Sequence, residues 1–119
     1  MSRGHALGRS GEQAAIEFLK KKHYSIVEQG FRFHRGEIDI IAYDRNTLVF
    51  VEVKTRQSRT FGLPEESVTP AKQAQLKRLA EAYLMVRHLS HVPCRFDILS
   101  VIPDEAGGYA IRHLKDAFE

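Results

Sequence analysis

Two adjacent stretches, GEIDIIAY (Gly36–Tyr43) and LVFVEVKT (Leu48–Thr55), decide the fold of this 119-residue chain. Both are rich in the β-branched and aromatic residues that are typical of strands. The segment DRNT (Asp44–Thr47) between them is typical of a tight turn, because Asp and Asn tolerate left-handed backbone conformations. The two stretches are therefore predicted to form an antiparallel β-hairpin, and their many apolar residues predict that it is buried.

The turn also predicts which residues of the hairpin face one another. If it is centred on Arg45-Asn46, Asp39 stands opposite Glu52 and Glu37 stands opposite Lys54, provided that no bulge interrupts the strands. Directly opposed side chains share a face of the sheet, with Cβ atoms roughly 4.5–5.5 Å apart. By strand alternation, that face also carries Ile41.

Two opposed carboxylates among apolar residues repel each other, so they must shift their pKa values or bind a cation. Asp39 and Glu52 together offer the oxygen ligands that suit Mg²⁺ or Mn²⁺. Lys54, two residues beyond Glu52, would stabilise charge on a phosphoryl group or orient an attacking water. The alternative is structural: an ion pair between Glu37 and Lys54, with the two acids at a wet edge of the sheet.

The rest of the chain is predicted to build one α/β domain, residues 1–119, around this hairpin. The predicted elements are a helix over Gly8–Lys22, a strand over Tyr24–Phe33 with Gly30 as a possible bulge, a loop over Arg56–Thr69, a helix from Thr69-Pro70 to about His88, and strands over Arg95–Ile102 and Tyr109–Leu114. The order α-β-β-β-α-β-β predicts a central mixed five-stranded sheet flanked by helices.

The charge is mildly basic and unevenly distributed. Residues 1–59 carry eleven Lys and Arg against seven Asp and Glu, whereas residues 60–119 carry seven against eight. A basic half is typical of a protein with a polyanionic partner, although a solvated surface explains so small an excess equally well. Cys94 is the single cysteine and cannot form an internal disulfide. With no membrane-length apolar run or signal peptide visible, a cytoplasmic protein is expected.

The hairpin sequence resembles a known family. GEIDIIA (Gly36–Ala42) followed by FVEVKTR (Phe50–Arg56) resembles the restriction-endonuclease-like, PD-(D/E)xK superfamily, and more closely the YraN-like family of small bacterial proteins, which are similar to archaeal Holliday junction resolvases. The resemblance extends to Gly11-Glu12 with Ala15, Phe61-Gly62 with Pro64, Lys72, and Arg95-Phe96-Asp97. One departure is Gln29–Arg32, where the family commonly has Asn shortly before the Arg.

The resemblance implies a restriction-endonuclease-like core in which Asp39 and Glu52 bind Mg²⁺ or Mn²⁺ and Lys54 is the catalytic lysine. It also suggests Glu12 as a further metal ligand; the alternative is an acid stabilised by the dipole of the first helical turn. Glu37 would lie next to the metal ligands without binding the metal itself.

Four cations are candidates to contact phosphates: Arg32, Arg35, Arg56 and Lys72. Arg56 is the best placed by strand alternation, because it continues the face that carries Glu52 and Lys54.

The function expected from these features is a metal-dependent endonuclease that hydrolyses phosphodiester bonds in DNA of branched or junction structure. Homodimerisation is expected only by analogy with resolvases. The alternatives are a non-catalytic nucleic-acid-binding or adaptor module on a nuclease-like fold, and a nuclease that acts on RNA.

Overall fold

A mixed five-stranded sheet, with its strands in chain order, forms the centre of the molecule. The computed structural model describes residues 3–56 and 68–119, and side chains from residue 10 onward. The elements are α1 (Arg3–Lys21), β1 (Ser25–Phe33), β2 (Gly36–Asp44), β3 (Thr47–Thr55), α2 (Pro70–Val86), β4 (Cys94–Pro103) and β5 (Tyr109–Phe118). The predicted order and the mixed sheet are confirmed. Most of the predicted loop, including Phe61, Gly62 and Pro64, lies outside the described residues.

The helices cover opposite faces of the sheet. Neighbouring strands are antiparallel except for β3 and β4, which are parallel and are connected through α2. One core lies under α2 and contains Phe31, Ile38, Ile41, Leu48, Phe50, Leu76, Leu79 and Tyr83. The other lies under α1 and contains Ala15, Ile16, Leu19, Ile40, Ala42, Val49, Val51 and Leu99. Burial on both faces explains the nearly continuous apolar sequence of β2 and β3.

The ends of the elements differ modestly from those predicted. The start of α2 is as predicted: Pro70 occupies its first turn, and the Thr69 hydroxyl accepts a hydrogen bond from the Lys72 N–H at 3.2 Å. The first helix begins at Arg3 rather than Gly8, and β5 runs to Phe118 rather than Leu114. In the described part of the chain, neither helix combines the length and apolar character needed to span a membrane.

Strand alternation breaks once in β2, at Asp39–Ile40. Ile38 and Ile41 would face opposite sides of a regular strand, yet both pack in the core under α2. The facing position in β1 is Gly30, which lies between the pairs Gln29–Ile40 and Phe31–Ile38 and has a left-handed φ of 65°. Gly30 was predicted as the bulge, but the register shift of β1 falls between Ile26 and Glu28. Gly30 instead provides the left-handed backbone opposite Asp39, which glycine adopts without steric cost.

Candidate metal and catalytic site

The β2–β3 hairpin opens next to the predicted acids. The paired residues run from Asp44–Thr47 to Ile40–Val51 in the predicted register, and the pairing ends there. Beyond it, the Asp39 carboxylate accepts a hydrogen bond from the Val53 N–H at 2.8 Å, so a side chain replaces the backbone acceptor of a continued ladder. We call Asp39, Glu52 and Lys54 at this opening the acid–lysine site.

Glu52 is the most deeply buried acid of this site, with 6% of its surface exposed. Its Oε1 lies 3.6 Å from the Lys54 Nζ. Its Oε2 is buried, and no hydrogen-bond partner for it exists among residues 3–56 and 68–119. Burial, and then repulsion from Asp39, raise the pKa of Glu52 to about 7, although Lys72 and Lys54 act in the opposite direction. At neutral pH this carboxyl group is close to its midpoint of ionisation.

Asp39 experiences the same electrostatic surroundings. Burial raises its pKa, the hydrogen bond from the Val53 N–H opposes that rise, and Glu37 adds to it. Lys54 and Lys72 lower the pKa of Asp39. Lys72, a predicted phosphate contact, therefore lies close enough to influence both acids. It occupies the first turn of α2, where the helix dipole adds positive potential.

Glu12 faces the site from α1. Burial raises its pKa first, and the charges of Asp39 and Glu37 raise it further. The helix reaches this position because Gly11 packs against β3: a Cβ on Gly11 would lie 2.6 Å from the Thr55 Oγ1. Glu12 thus lies within the electrostatic field of the acids, and its role as a metal ligand remains a prediction.

The predicted pairing of Glu37 with Lys54 is wrong. Glu37 instead forms an ion pair with Arg32 of β1, with 3.1 Å between the Arg32 Nε and the Glu37 Oε2. Arg32 and Glu37 are also partners in the β1–β2 register. The strands diverge before Glu37 could reach Lys54, and so the ammonium group lies against Glu52.

The remaining predicted phosphate contacts, Arg32, Arg35 and Arg56, are exposed side chains. Arg32 has 82% of its side chain exposed even with its ion pair. Arg35 lines a shallow cavity of about 270 Å³ together with Phe33 and Arg78. Arg56 is exposed directly after β3, and its guanidinium donates to the Thr55 carbonyl at 3.0 Å. Their contact with nucleic acid remains a prediction.

The donor set fits a hard divalent cation better than a softer metal. No group of three or more His, Cys, Asp or Glu that could hold a metal ion occurs in residues 3–56 and 68–119. Asp39 and Glu52 are the two carboxylates of the acid–lysine site, and one oxygen of Glu52 is buried without a hydrogen-bond partner among the described residues. Mg²⁺ commonly binds through one or two carboxylates and takes its other ligands from water and phosphate. The residues present fit such an ion.

Sequence reasoning missed a second polar network, centred on Asp97 of β4. Asp97 is completely buried and accepts hydrogen bonds from the Arg95 Nε at 2.9 Å, the Asp116 N–H at 3.0 Å and the Tyr24 hydroxyl at 3.2 Å. The His113 Nε2 lies 2.7 Å from the same carboxylate. Arg95 and Asp97 alternate to the same face of β4, and their other partners come from elements distant in sequence. The network lies beside the closed end of the hairpin, because Arg95 also contacts Asp44.

Fold and site together define a small α/β protein with two carboxylates and a lysine at the opening of a central hairpin. Residues 11–101 match the model of the "Uncharacterised protein family UPF0102". A UPF0102 protein of Symbiobacterium thermophilum is 49% identical over 112 residues, which cover 94% of this chain and 95% of the relative. A UPF0102 protein of Geotalea daltonii is 46% identical over 113 residues, which cover 95% and 89%. The chain therefore belongs to the UPF0102 family. The matched region includes the acid–lysine site and ends before β5.

Proposed function

We propose that this protein is a Mg²⁺- or Mn²⁺-dependent endonuclease with a restriction-endonuclease-like core that hydrolyses phosphodiester bonds in DNA. The observation that carries the proposal is the buried Glu52 Oε2, which has no hydrogen-bond partner among the described residues. A buried carboxylate oxygen in that state costs free energy unless it is protonated or binds a cation. A purely structural acid would be expected to resemble Asp97, whose carboxylate oxygens accept hydrogen bonds from several donors.

The roles of the residues follow from their positions. Asp39 and Glu52 would hold the cation, which when bound would activate water and withdraw charge from the phosphate. Lys54 is held beside Glu52 and would stabilise the negative charge that develops on the phosphoryl oxygens. Lys72 and the N-terminus of α2 add positive potential on the same side.

We propose branched or junction DNA as the substrate class, on the strength of the resemblance to resolvases. The described chain offers exposed cations around the site, such as Arg35 and Arg56, which suit contact with phosphates rather than base reading. A homodimer is the assembly that the same resemblance implies, since a four-way junction has two equivalent strands to cut.

The test is cleavage of a labelled four-way junction by the purified chain with Mn²⁺ or Mg²⁺. Matched panels of flapped, duplex, single-stranded and RNA substrates define the substrate class. Asp39→Asn should abolish metal-dependent cleavage. Lys54→Gln should lower kcat by about 10²–10³-fold while metal affinity changes little, because it removes one group that stabilises transition-state charge. Lys20→Gln on the exposed end of α1 is the matched lysine control.

The outcomes separate the candidate functions. Cleavage of RNA alone would replace DNA as the substrate. Binding of junctions without cleavage in either metal, together with unchanged binding in Asp39→Asn, would rule out the enzyme and leave a binding module. Cleavage that survives Asp39→Asn and Glu52→Gln would place the chemistry elsewhere.

A further inference from the structure

A second cleft, of about 570 Å³, lies at the closed end of the β2–β3 hairpin, where α1 turns into β1. We call it the closed-end cleft. It is lined by Lys22, His23, Tyr24, Asp44, Arg45, His113 and Lys115. Three elements and two turns meet there, and none of these residues belongs to the acid–lysine site.

The walls of the closed-end cleft carry an excess of positive charge. Lys22, Arg45 and Lys115 are cationic, and Asp44 is the one carboxylate among the lining residues. That carboxylate is already neutralised, because its Oδ2 lies 3.1 Å from the Arg95 Nη2 and 3.5 Å from the Lys115 Nζ. Arg95, behind the wall, is in turn paired with Asp97. The cleft therefore favours an anion.

The floor of the cleft is held rigidly by the Asp97 network. Because an ionised carboxylate only accepts hydrogen bonds, the His113 Nε2, 2.7 Å from the Asp97 Oδ2, carries the proton. The other ring nitrogen, Nδ1, lies 3.2 Å from the Lys22 Nζ and accepts a hydrogen bond from that ammonium group. The His113 side chain is only 4% exposed. A fixed imidazole thus helps to position the Lys22 ammonium at the cleft.

Two of the turns that form the cleft have unusual residues for their backbone conformations. His23 has φ 69° and Arg45 has φ 58°, a left-handed region in which glycine or asparagine is less strained. A tight hairpin turn would form more easily with Asn or Gly at position 45. The chain instead has a long cationic side chain there, exposed at the edge of the cleft.

The cleft lies at a fixed distance from the acid–lysine site. From Glu12 to Lys22, α1 advances by about 15 Å at roughly 1.5 Å per residue. From Asp39 to Asp44, β2 advances by about 17 Å at roughly 3.3 Å per residue. Both α1 and β2 run from the region of the acid–lysine site to the closed-end cleft, so both give a separation of about 15–17 Å. At about 3.4 Å per base pair along the axis of duplex DNA, this separation corresponds to about five base pairs. Five base pairs turn the duplex by about half a turn, so a second phosphate on the same face of the DNA belongs to the complementary strand.

We propose that the closed-end cleft binds a backbone phosphate of the nucleic acid, about five base pairs along the duplex from the phosphate at the acid–lysine site. This inference rests on the proposed function for its second phosphate, but the cleft's affinity for phosphate does not depend on cleavage. Lys22 and Arg45 would contact the phosphate oxygens, and His113 would hold Lys22 in place.

The test compares the wild-type chain with the double variant Lys22→Gln/Arg45→Asn in full-length protein without metal. Asparagine keeps the left-handed turn at position 45 accessible. Fluorescence anisotropy with labelled DNA hairpins of 4 and 10 base pairs, over a salt series, measures binding. Titration with inorganic phosphate, followed by the imidazole NMR signals of His113, measures the cleft alone. Lys20→Gln is the control, a neighbouring exposed lysine that does not line the cleft.

For the wild type, we expect the 10-base-pair hairpin to bind more tightly than the 4-base-pair one, because only the longer stem reaches both sites. The double variant should bind the longer stem about tenfold more weakly, with a salt slope lower by about one to two, and should lose the length effect. Lys20→Gln should change affinity less than twofold. Phosphate should shift the His113 signals in the wild type and not in the double variant.

An unchanged affinity and salt slope in the double variant would overturn the inference, even if the protein cuts DNA. Phosphate shifts without any change in hairpin affinity would also overturn it and assign the cleft to a small phosphate compound. Loss of the length effect in a protein that never cleaves would support the inference while refuting the proposed activity. Matching urea midpoints for the wild type and the double variant would exclude unfolding as the cause.

Discussion

Two buried carboxylates on adjacent strands of the sheet, Glu52 of β3 and Asp97 of β4, differ in their ionisation. Asp97 is 0% exposed and Glu52 is 6% exposed, so burial alone does not distinguish them. Burial by itself would raise the pKa of Asp97, but hydrogen bonds from His113, Arg95 and the Asp116 N–H outweigh it and lower that pKa. Glu52 has one lysine 3.6 Å away and one oxygen without a hydrogen-bond partner among the described residues, and burial raises its pKa to about 7.

The difference shows how to separate acids that stabilise a fold from acids that are available for chemistry. A buried carboxylate with saturated acceptors is fully ionised and holds its donors in place. A buried carboxylate with few hydrogen-bond donors around it is stabilised when it binds a proton or a cation. Four predictions test this distinction, in decreasing order of expected effect.

The largest effect is expected for Asp97→Ala. Removing this carboxylate leaves the partly buried Arg95 guanidinium without its main partner and should lower the free energy of unfolding by about 3–5 kcal/mol. Urea unfolding at pH 7 measures the loss. Glu105→Ala, in the exposed β4–β5 turn, is the control and should stay within about 0.5 kcal/mol of wild type. Near-wild-type stability of Asp97→Ala would show that the hydrogen bonds to Asp97 do not stabilise the fold.

The second prediction concerns pH and Glu52→Gln, which mimics the protonated acid. Since the folded pKa of about 7 lies above the ordinary value of 4.5, the folded state binds this proton more tightly than the unfolded state. The stabilisation from Glu52 is therefore complete below pH 4.5 and lost as pH rises to about 7. Without metal, the wild type should lose about 3 kcal/mol relative to Glu52→Gln across that range.

Thermal or urea unfolding of both proteins between pH 4.5 and 8 tests this difference. If the stabilities of the two proteins depend on pH in the same way, the pKa of Glu52 is not raised in the folded state.

The third prediction is stabilisation by metal. Mn²⁺ at about 100 times its dissociation constant should raise the free energy of unfolding of the wild type by about 2.7 kcal/mol, because it binds only the folded chain. The increase should be absent in Glu52→Gln and Asp39→Asn. Melting curves with and without Mn²⁺, at constant ionic strength, provide the measurement. Equal stabilisation of wild type and both variants would indicate binding elsewhere.

The smallest effect is expected for Glu12→Gln. The charge of Glu12 interacts with that of Asp39, so its removal should weaken Mn²⁺ binding by about tenfold. Calorimetric titration measures the affinity, and Glu17→Gln on the exposed side of α1 serves as the control. An affinity equal to that of the control would assign Glu12 to the stabilisation of the helix end.

The parts of the fold that depend on neighbouring residues in the chain could be predicted from sequence. The β2–β3 register was correct from Asp44–Thr47 to Ile40–Val51, because one short turn fixes it. The helix start at Thr69-Pro70 was correct for the same reason: its signal lies within four residues.

The features that depend on distant elements could not be predicted. The ion-pair partner of Glu37 comes from β1. The break in strand alternation at Asp39 lies opposite Gly30 of the same strand. Besides Arg95 of its own strand, the donors to Asp97 come from β5 and from Tyr24, which precedes β1 and lies 73 residues away in the sequence. No local pattern encodes such contacts, since they depend on how strands are ordered in the sheet.

The order of the strands gives the two ends of the hairpin different local stabilities. Glu52 lies on β3, which is hydrogen-bonded to a strand on each side, whereas β1 and β5 are the edges of the sheet. Backbone amides of central strands exchange with solvent mainly through global unfolding, and those of edge strands exchange through smaller local openings. The acid–lysine site should therefore survive until the whole molecule unfolds. The closed-end cleft, which takes residues from β5 and from the segment entering β1, should loosen first.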